Sequence, residues 1–267
     1  MKKRFFFIAI RLFLIIYGLV GIALYYFQDK LLFHPQSVAP DYKYQFKGNF
    51  SEQFIPVNSD FKIHLVKVIP QIPRKGLVIF FHGNMKNAEY YQKNIAPLIS
   101  LGYEVWIPDY PKFGKSVGEL SEENFNTLAI QTQRLAKSFI STDSIIVYGK
   151  SLGTGPAAYL AANSNNRMLI LETPYSSIPS LFKRYAWMYP VARMAKFNFP
   201  VIDYLKDVKC PIVIFHGNDD EVIALKEAQK LKGDLKPGDR FITIDGGHHN
   251  DLRNTPVYTT TLKEVLK

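Results

Sequence analysis

Gly149-Lys150-Ser151-Leu152-Gly153 sets a serine between two glycines in the pattern G-x-S-x-G. A serine hydroxyl becomes a nucleophile when a base takes its proton and a carboxylate orients that base. Two later stretches hold such groups. His216-Gly217-Asn218-Asp219-Asp220-Glu221 offers three adjacent acids, and Asp245-Gly246-Gly247-His248-His249-Asn250-Asp251 offers two adjacent histidines. Chemistry alone does not choose among Asp219, Asp220 and Glu221, or between His248 and His249. An earlier stretch, His82-Gly83-Asn84-Met85, follows an apolar run and suits an oxyanion site. There the backbone N–H of Asn84 or of Met85, together with that of Leu152, would face the developing anion. His82 reads as a packing and hydrogen-bonding residue at a strand end.

Each of these stretches follows a run that reads as a buried strand. Ser144–Tyr148 precedes the serine, Leu77–Phe81 precedes the oxyanion stretch, Ile212–Phe215 the acids and Arg240–Ile244 the histidines. Short, continuous apolar runs of this kind suit strands covered on both faces. Further strands are expected at Phe61–Ile69, Tyr103–Ile107 and Met168–Leu171, and helices at Glu89–Leu101, Ser121–Ile140, Leu152–Asn163, Ala224–Leu231 and the last dozen residues. Alternation of strand and helix predicts a mostly parallel sheet with helices on both faces. A nucleophile on a strand-to-helix turn needs small neighbours, hence Gly149 and Gly153.

Composition bounds the alternatives. The chain has 267 residues and one cysteine, Cys210, which excludes an intramolecular disulfide and a thiolate metal cluster. No metal-ligand spacing and no G-x-G-x-x-G after a strand is present, and hydrolysis needs only side chains, amides and water, so no cofactor is implied. The net charge is +10. Lys2, Lys3, Arg4 and Arg11 supply part of it, leaving 29 basic against 23 acidic residues after position 27. No basic cluster with interleaved aromatics suggests nucleic-acid binding.

Phe5–Phe27 holds 23 residues with Arg11 as its single charge. As a helix it would cover ~34 Å, enough to span a bilayer core. The stretch is too long for a signal-peptide core and runs on into Tyr25, Tyr26 and Phe27, so it reads as an uncleaved anchor. Lys2, Lys3 and Arg4 place its N-terminus in the cytoplasm and the remainder on the non-cytoplasmic side. The organisation read here is an anchor over 1–27, a connector over 28–50 and a catalytic domain over 51–267. Within that domain, 173–200 breaks the alternation as a lid insertion. The lid carries Lys183, Arg184, Arg193 and Lys196, no acid, and seven aromatics including Phe182 and Trp187. Phe182, Trp187, Lys183 and Arg184 are its candidate substrate contacts, suited to an acyl chain with an anionic head.

LLFHP after the anchor, FFHGN, DYPKFGKSVG, YGKSLGTGPA, FHGNDDEVI and GGHHND occur in that order. Through them the chain resembles the membrane-anchored α/β-hydrolase-domain proteins, a group that includes protein depalmitoylases and a lysophosphatidylserine lipase. Bacterial relatives are often named serine aminopeptidase-like. The resemblance covers roughly residues 25–260 and implies an α/β-hydrolase fold with the chain order Ser, Asp, His. The family pattern HG-x-x-D-x-V falls on His216, Gly217, Asp220 and Val222, which selects Asp220. The pattern G-H-N-D selects His249. Three positions depart from the family: Lys112 stands for a glycine, Met85 for a small residue and His248 for the glycine before the base. The resemblance implies a serine hydrolase of acyl esters or thioesters, with lipid or acyl-ester substrates and Ser151, Asp220 and His249 as its triad. An aminopeptidase would need a carboxylate to hold a free ammonium, and the lid has none. A catalytically silent tethered domain would have no use for a complete Ser, Asp and His set.

Overall fold

The computed structural model describes residues 2–267. Eight strands form one sheet: β1 Asn49–Pro56, β2 Lys62–Ile69, β3 Gly76–Phe81, β4 Tyr103–Pro108, β5 Ile145–Lys150, β6 Met168–Glu172, β7 Ile212–Gly217 and β8 Arg240–Ile244. Their spatial order is β8-β7-β6-β5-β3-β4-β2-β1. All pairings are parallel except β1 with β2 and β2 with β4. Every residue of β3, β4, β5 and β7 is buried, as the unbroken apolar runs require for strands covered on both faces.

Helices α1 to α6 span Lys2–Tyr26, Gln92–Ser100, Glu122–Lys137, Thr154–Ala162, Ile178–Lys183 and Pro256–Val265. Ser121 caps α3 by accepting from the Asn124 N–H, and Asn87 caps the turn that leads into α2. One core face joins α3 and α4 to the sheet through Phe125, Leu128, Ala157 and Ala161. The opposite face joins α2 and α6 through Ile95, Leu98, Tyr258 and Leu262. The sheet is thus covered on both sides, as the alternation predicts.

Three features differ from the expectation. First, β1 lies partly in what reads as a connector. It is an edge strand with one partner, β2, and its alternating exposure leaves no apolar run to mark it. Second, residues 28–50 are not a loose tether. Leu32, Phe33, Tyr44 and Phe46 are buried in the domain, and His34–Pro35 pair in parallel with Met85–Lys86. Third, the insertion over 173–200 is not aromatic surface throughout. Tyr175, Phe197 and Phe199 are buried, with Phe197 packed on Phe33 and Phe199 on Phe125. Of its aromatics only two at the tip are open: Tyr185 is 61% and Trp187 73% exposed.

Helix α1 is long and apolar enough to cross a membrane, and none of its residues is buried.

Candidate active site

Strand β5 ends at Lys150, and Ser151 begins a tight turn that runs into α4. Ser151 has φ +51°, a left-handed conformation that costs an L-residue roughly 1–2 kcal/mol. The turn closes only because its neighbours lack side chains. A Cβ on Gly149 would lie 2.6 Å from the Gly153 carbonyl oxygen, and one on Gly153 would lie 2.0 Å from that of Phe81. The strain lifts the hydroxyl off the end of the sheet.

Three side chains from three strand ends meet there. Ser151 Oγ lies 2.9 Å from His249 Nε2, and His249 Nδ1 lies 2.8 Å from Asp220 Oδ2. The carboxylate can only accept, so Nδ1 carries the proton and Nε2 is left to accept from the serine hydroxyl. Asp220 Oδ1 accepts from the Val222 and Ile223 amides at 2.9 and 2.7 Å. Burial alone would raise the Asp220 pKa. The hydrogen bond and charge of His249, with the Ile223 amide, outweigh it and hold this carboxyl below its usual range. The neighbouring candidates face elsewhere. Asp219 is exposed. His248 is open to solvent and lies 3.3 Å from Glu221, whose carboxylate raises its pKa.

The loop after β3 brings Asn84 to the same cleft as Ser151 and Leu152. Among the described residues no intramolecular hydrogen bond engages the Asn84 amide, whereas the Met85 amide donates to Tyr91 Oη at 3.3 Å. Leu152 is the second residue of a helical turn, where N–H groups lack an intrahelical acceptor. The Asn84 and Leu152 amides are thus left without a partner among the hydrogen bonds of the described residues, whereas that of Met85 has one. The loop is held by the segment after the anchor: His34 N–H donates to Asn84 O at 2.9 Å, and Asn84 Nδ2 donates to Leu32 O at 2.9 Å. The LLFHP stretch thus braces the loop at Asn84, a role that its residue types do not announce. His82 is fully buried between the rings of Tyr91 and Tyr110, and burial lowers its imidazole to about 4, so it stays neutral.

The sequence gives no hint of a second polar cluster behind the serine. Lys150 Nζ, on the residue before Ser151, lies 2.6 Å from Glu172 Oε1 and 3.1 Å from the backbone oxygen of His249. Glu172 also accepts from the hydroxyls of Tyr148 and Tyr258. Burial pushes the Glu172 carboxyl up, but the charge and hydrogen bond of Lys150 and the two tyrosines hold it below its ordinary value.

The cleft in front of Ser151 has a volume of about 290 Å³. Its walls include Leu31, Tyr175, Ile178, Leu181, Phe182 and Val222, and no carboxylate lines it. Of the four lid residues expected to contact substrate, only Phe182 lines this cleft. Lys183, Arg184 and Trp187 line a neighbouring groove with Glu227 and Lys230, because they lie on the outer side of the turn that ends α5. Among the described residues no cluster of three or more His, Cys, Asp or Glu could hold a metal ion.

Residues 76–202 match the family model for the alpha/beta hydrolase fold. The chain has an α/β-hydrolase fold. An esterase of Pyrococcus furiosus superposes with a TM-score of 0.69 at 18% identity, covering 88% of this chain and 97% of that one. A thioesterase domain from the curacin biosynthetic pathway gives 0.58 at 14% identity, covering 82% and 99%. In sequence, the chain is 28% identical to the alpha/beta hydrolase domain-containing protein aho-3 of Caenorhabditis elegans over 192 residues, and 27% identical to the human alpha/beta hydrolase domain-containing protein 17B over 204. The matches cover 71% and 72% of this chain but only 57% and 66% of those relatives. Its matched sequence therefore spans less than two thirds of either.

Proposed function

We propose that this protein is a membrane-anchored serine hydrolase that cleaves carboxylic esters or thioesters of acyl substrates. The observation that carries the reading is the line of two hydrogen bonds from Ser151 Oγ through His249 to Asp220. Ser151 Oγ attacks the substrate carbonyl as His249 Nε2 takes the hydroxyl proton. Asp220 holds the imidazole in the required tautomer and stabilises the imidazolium that forms. The amides of Asn84 and Leu152 receive the charge on the carbonyl oxygen. His249 then returns the proton to the leaving alcohol or thiol. Water, activated by the same imidazole, releases the acid and restores Ser151.

Substrate class follows from the cleft walls. They are largely apolar and lack a carboxylate, which favours an acyl chain over a peptide with a free ammonium. The esterase and thioesterase folds among the solved structures point to the same reaction class. Helix α1, with Lys2, Lys3 and Arg4 in its first turn, would hold the domain at the non-cytoplasmic face of a membrane. The test is labelling of the membrane-bound protein by a serine-reactive fluorophosphonate. Labelling and ester hydrolysis should both vanish in Ser151→Ala, and a folded Ser151→Ala protein that keeps full activity would remove Ser151 from the mechanism.

A further inference from the structure

The lid does not simply overhang the site; its far end packs on the anchor. The Tyr17 and Tyr189 rings stack at 4.5 Å with an interplanar angle of 5°. Tyr17 Oη donates to Met188 O at 2.7 Å, and Tyr189 Oη donates to Tyr17 O at 3.0 Å. A Cβ on Gly21 would stand 3.1 Å from the Tyr189 ring, so a glycine there is what lets the lid come so close. Nearer the helix end, Gln28 exchanges hydrogen bonds with Met194 O and the Lys196 amide, at 3.0 and 2.7 Å.

Depth follows from the helix. Tyr17 lies ten residues before Phe27, or ~15 Å along the axis. That is about half the thickness of a bilayer hydrocarbon core. The outer end of α1 carries Tyr25 and Tyr26, with Lys196 Nζ over their rings at 5.0 and 5.7 Å. Paired aromatics capped by a cation mark a headgroup level. Met188 and Tyr189 bond to Tyr17, deeper than that level, Trp187 is their neighbour in the chain, and Trp187 and Met188 turn 73% and 47% of their surface outward. In water such a tip would be a costly exposure; in lipid it is not.

Beside this contact a mostly apolar gap opens between the lid and α1, walled by Leu24, Leu31, Phe182, Ala186, Tyr189 and Met194. Leu31, Leu32, Ile178 and Phe182 are also walls of the Ser151 cleft, so the two spaces adjoin. We propose that the lid tip, residues 185–190, is immersed in the lipid beside α1, and that the gap between them is the door through which the acyl chain of a membrane-resident substrate reaches Ser151. The door rests on the hydrolase reading above; the depth of the tip does not. A chain entering there never leaves hydrocarbon on its way from bilayer to cleft, whereas entry from water would expose each methylene.

The full chain in phosphatidylcholine nanodiscs tests both parts. Trp187 is one of two tryptophans, and the other, Trp106, is buried in the domain. Subtracting the emission of Trp187→Phe from that of the unaltered protein isolates Trp187. This difference should be quenched at least twofold when the lipids carry brominated acyl chains. Equal emission in brominated and plain discs would overturn the immersion. Ala186→Phe narrows the door, and the ratio of kcat/KM for hexadecanoyl over butanoyl esters should fall at least tenfold. A ratio within twofold of the unaltered protein would overturn the route. Failure of the unaltered chain to hydrolyse any ester would sink the hydrolase reading and the door with it, while the bromine quenching would still decide the depth of the tip.

Discussion

Replacing Lys150 with methionine isolates the charge behind the site. Lys150 and Glu172 each keep only 3% side-chain exposure and lie 2.6 Å apart. Removing one partner of a buried pair costs about 3–5 kcal/mol, since the other charge is left without compensation. Glu172 would keep the two tyrosine hydroxyls, so the lower end, ~3 kcal/mol, is the expectation. In a domain of this size that is a fall in Tm of about 6–12 °C.

The pH dependence gives the sign. With Lys150 present the folded carboxyl is held below its unfolded value. Its contribution is complete above that unfolded value, is lost as pH falls through the folded one, and so hardly changes between pH 7 and 5. Without Lys150 only burial and the tyrosines act, and burial raises the carboxyl. Acidification would then neutralise the stranded charge, so Lys150→Met should recover stability relative to the unaltered protein as pH falls from 7 to 5. Glu172→Gln added to Lys150→Met should recover most of the loss at pH 7. The same substitution frees the His249 carbonyl, so kcat should fall more than KM rises. Thermal melts at several pH values, with ester kinetics beside them, are the assay. A loss below 1 kcal/mol at pH 7, or a double variant less stable than the single one, would refute the reasoning about a stranded charge.

His249→Ala should cost several orders of magnitude in kcat/KM and Asp220→Asn about 10⁴-fold in kcat, while His248→Ala and Asp219→Asn keep most activity; the reverse ranking in ester kinetics would reassign the base or the acid. Lys112 has φ +67°, so Lys112→Gly should raise stability by up to ~1 kcal/mol, read as a higher Tm. Deleting residues 1–27 should move the protein to the soluble fraction after ultracentrifugation, and a truncated chain that still sediments with membranes would place the attachment in the lid tip.

The sheet is legible because its inner strands each carry a short, nearly continuous apolar run, a signal that survives without knowledge of their neighbours. Edge strand β1 is not, since half of its positions face water and Pro56 ends it. The elbow is legible because a nucleophile on a strand-to-helix turn calls for small neighbours: Gly149 answers a demand inside the turn, and Gly153 one from the adjoining strand at Phe81. The choices between His248 and His249, and between Asp219 and Asp220, are different. Adjacent residues of one type carry the same chemistry, and only the path of the loop decides which one turns inward. Glu172 illustrates the opposite failure. The apolar runs end at Tyr148 and Leu171, so Lys150 and Glu172 read as loop charges, yet β5 and β6 continue far enough to place them directly across from each other. The lid aromatics read alike because composition does not distinguish Phe199, packed on Phe125, from Trp187, which is 73% exposed.

Residues 149–153 therefore meet three demands that pull apart. Ser151 takes a left-handed backbone that its side chain disfavours, and the two glycines remove the atoms that would forbid it. Lys150 must be buried beside it, which is tolerable only with Glu172 opposite. The same ammonium holds the His249 carbonyl, so base and nucleophile share one anchor point behind the sheet. The strain at Ser151 needs that rigidity, because an elbow free to relax would draw the hydroxyl back from His249. Freedom lies on the other side, where Tyr185 and Trp187 of the lid are 61% and 73% exposed. Rigidity behind Ser151 and openness before it are the division of labour that the acyl-ester hydrolysis proposed above would require.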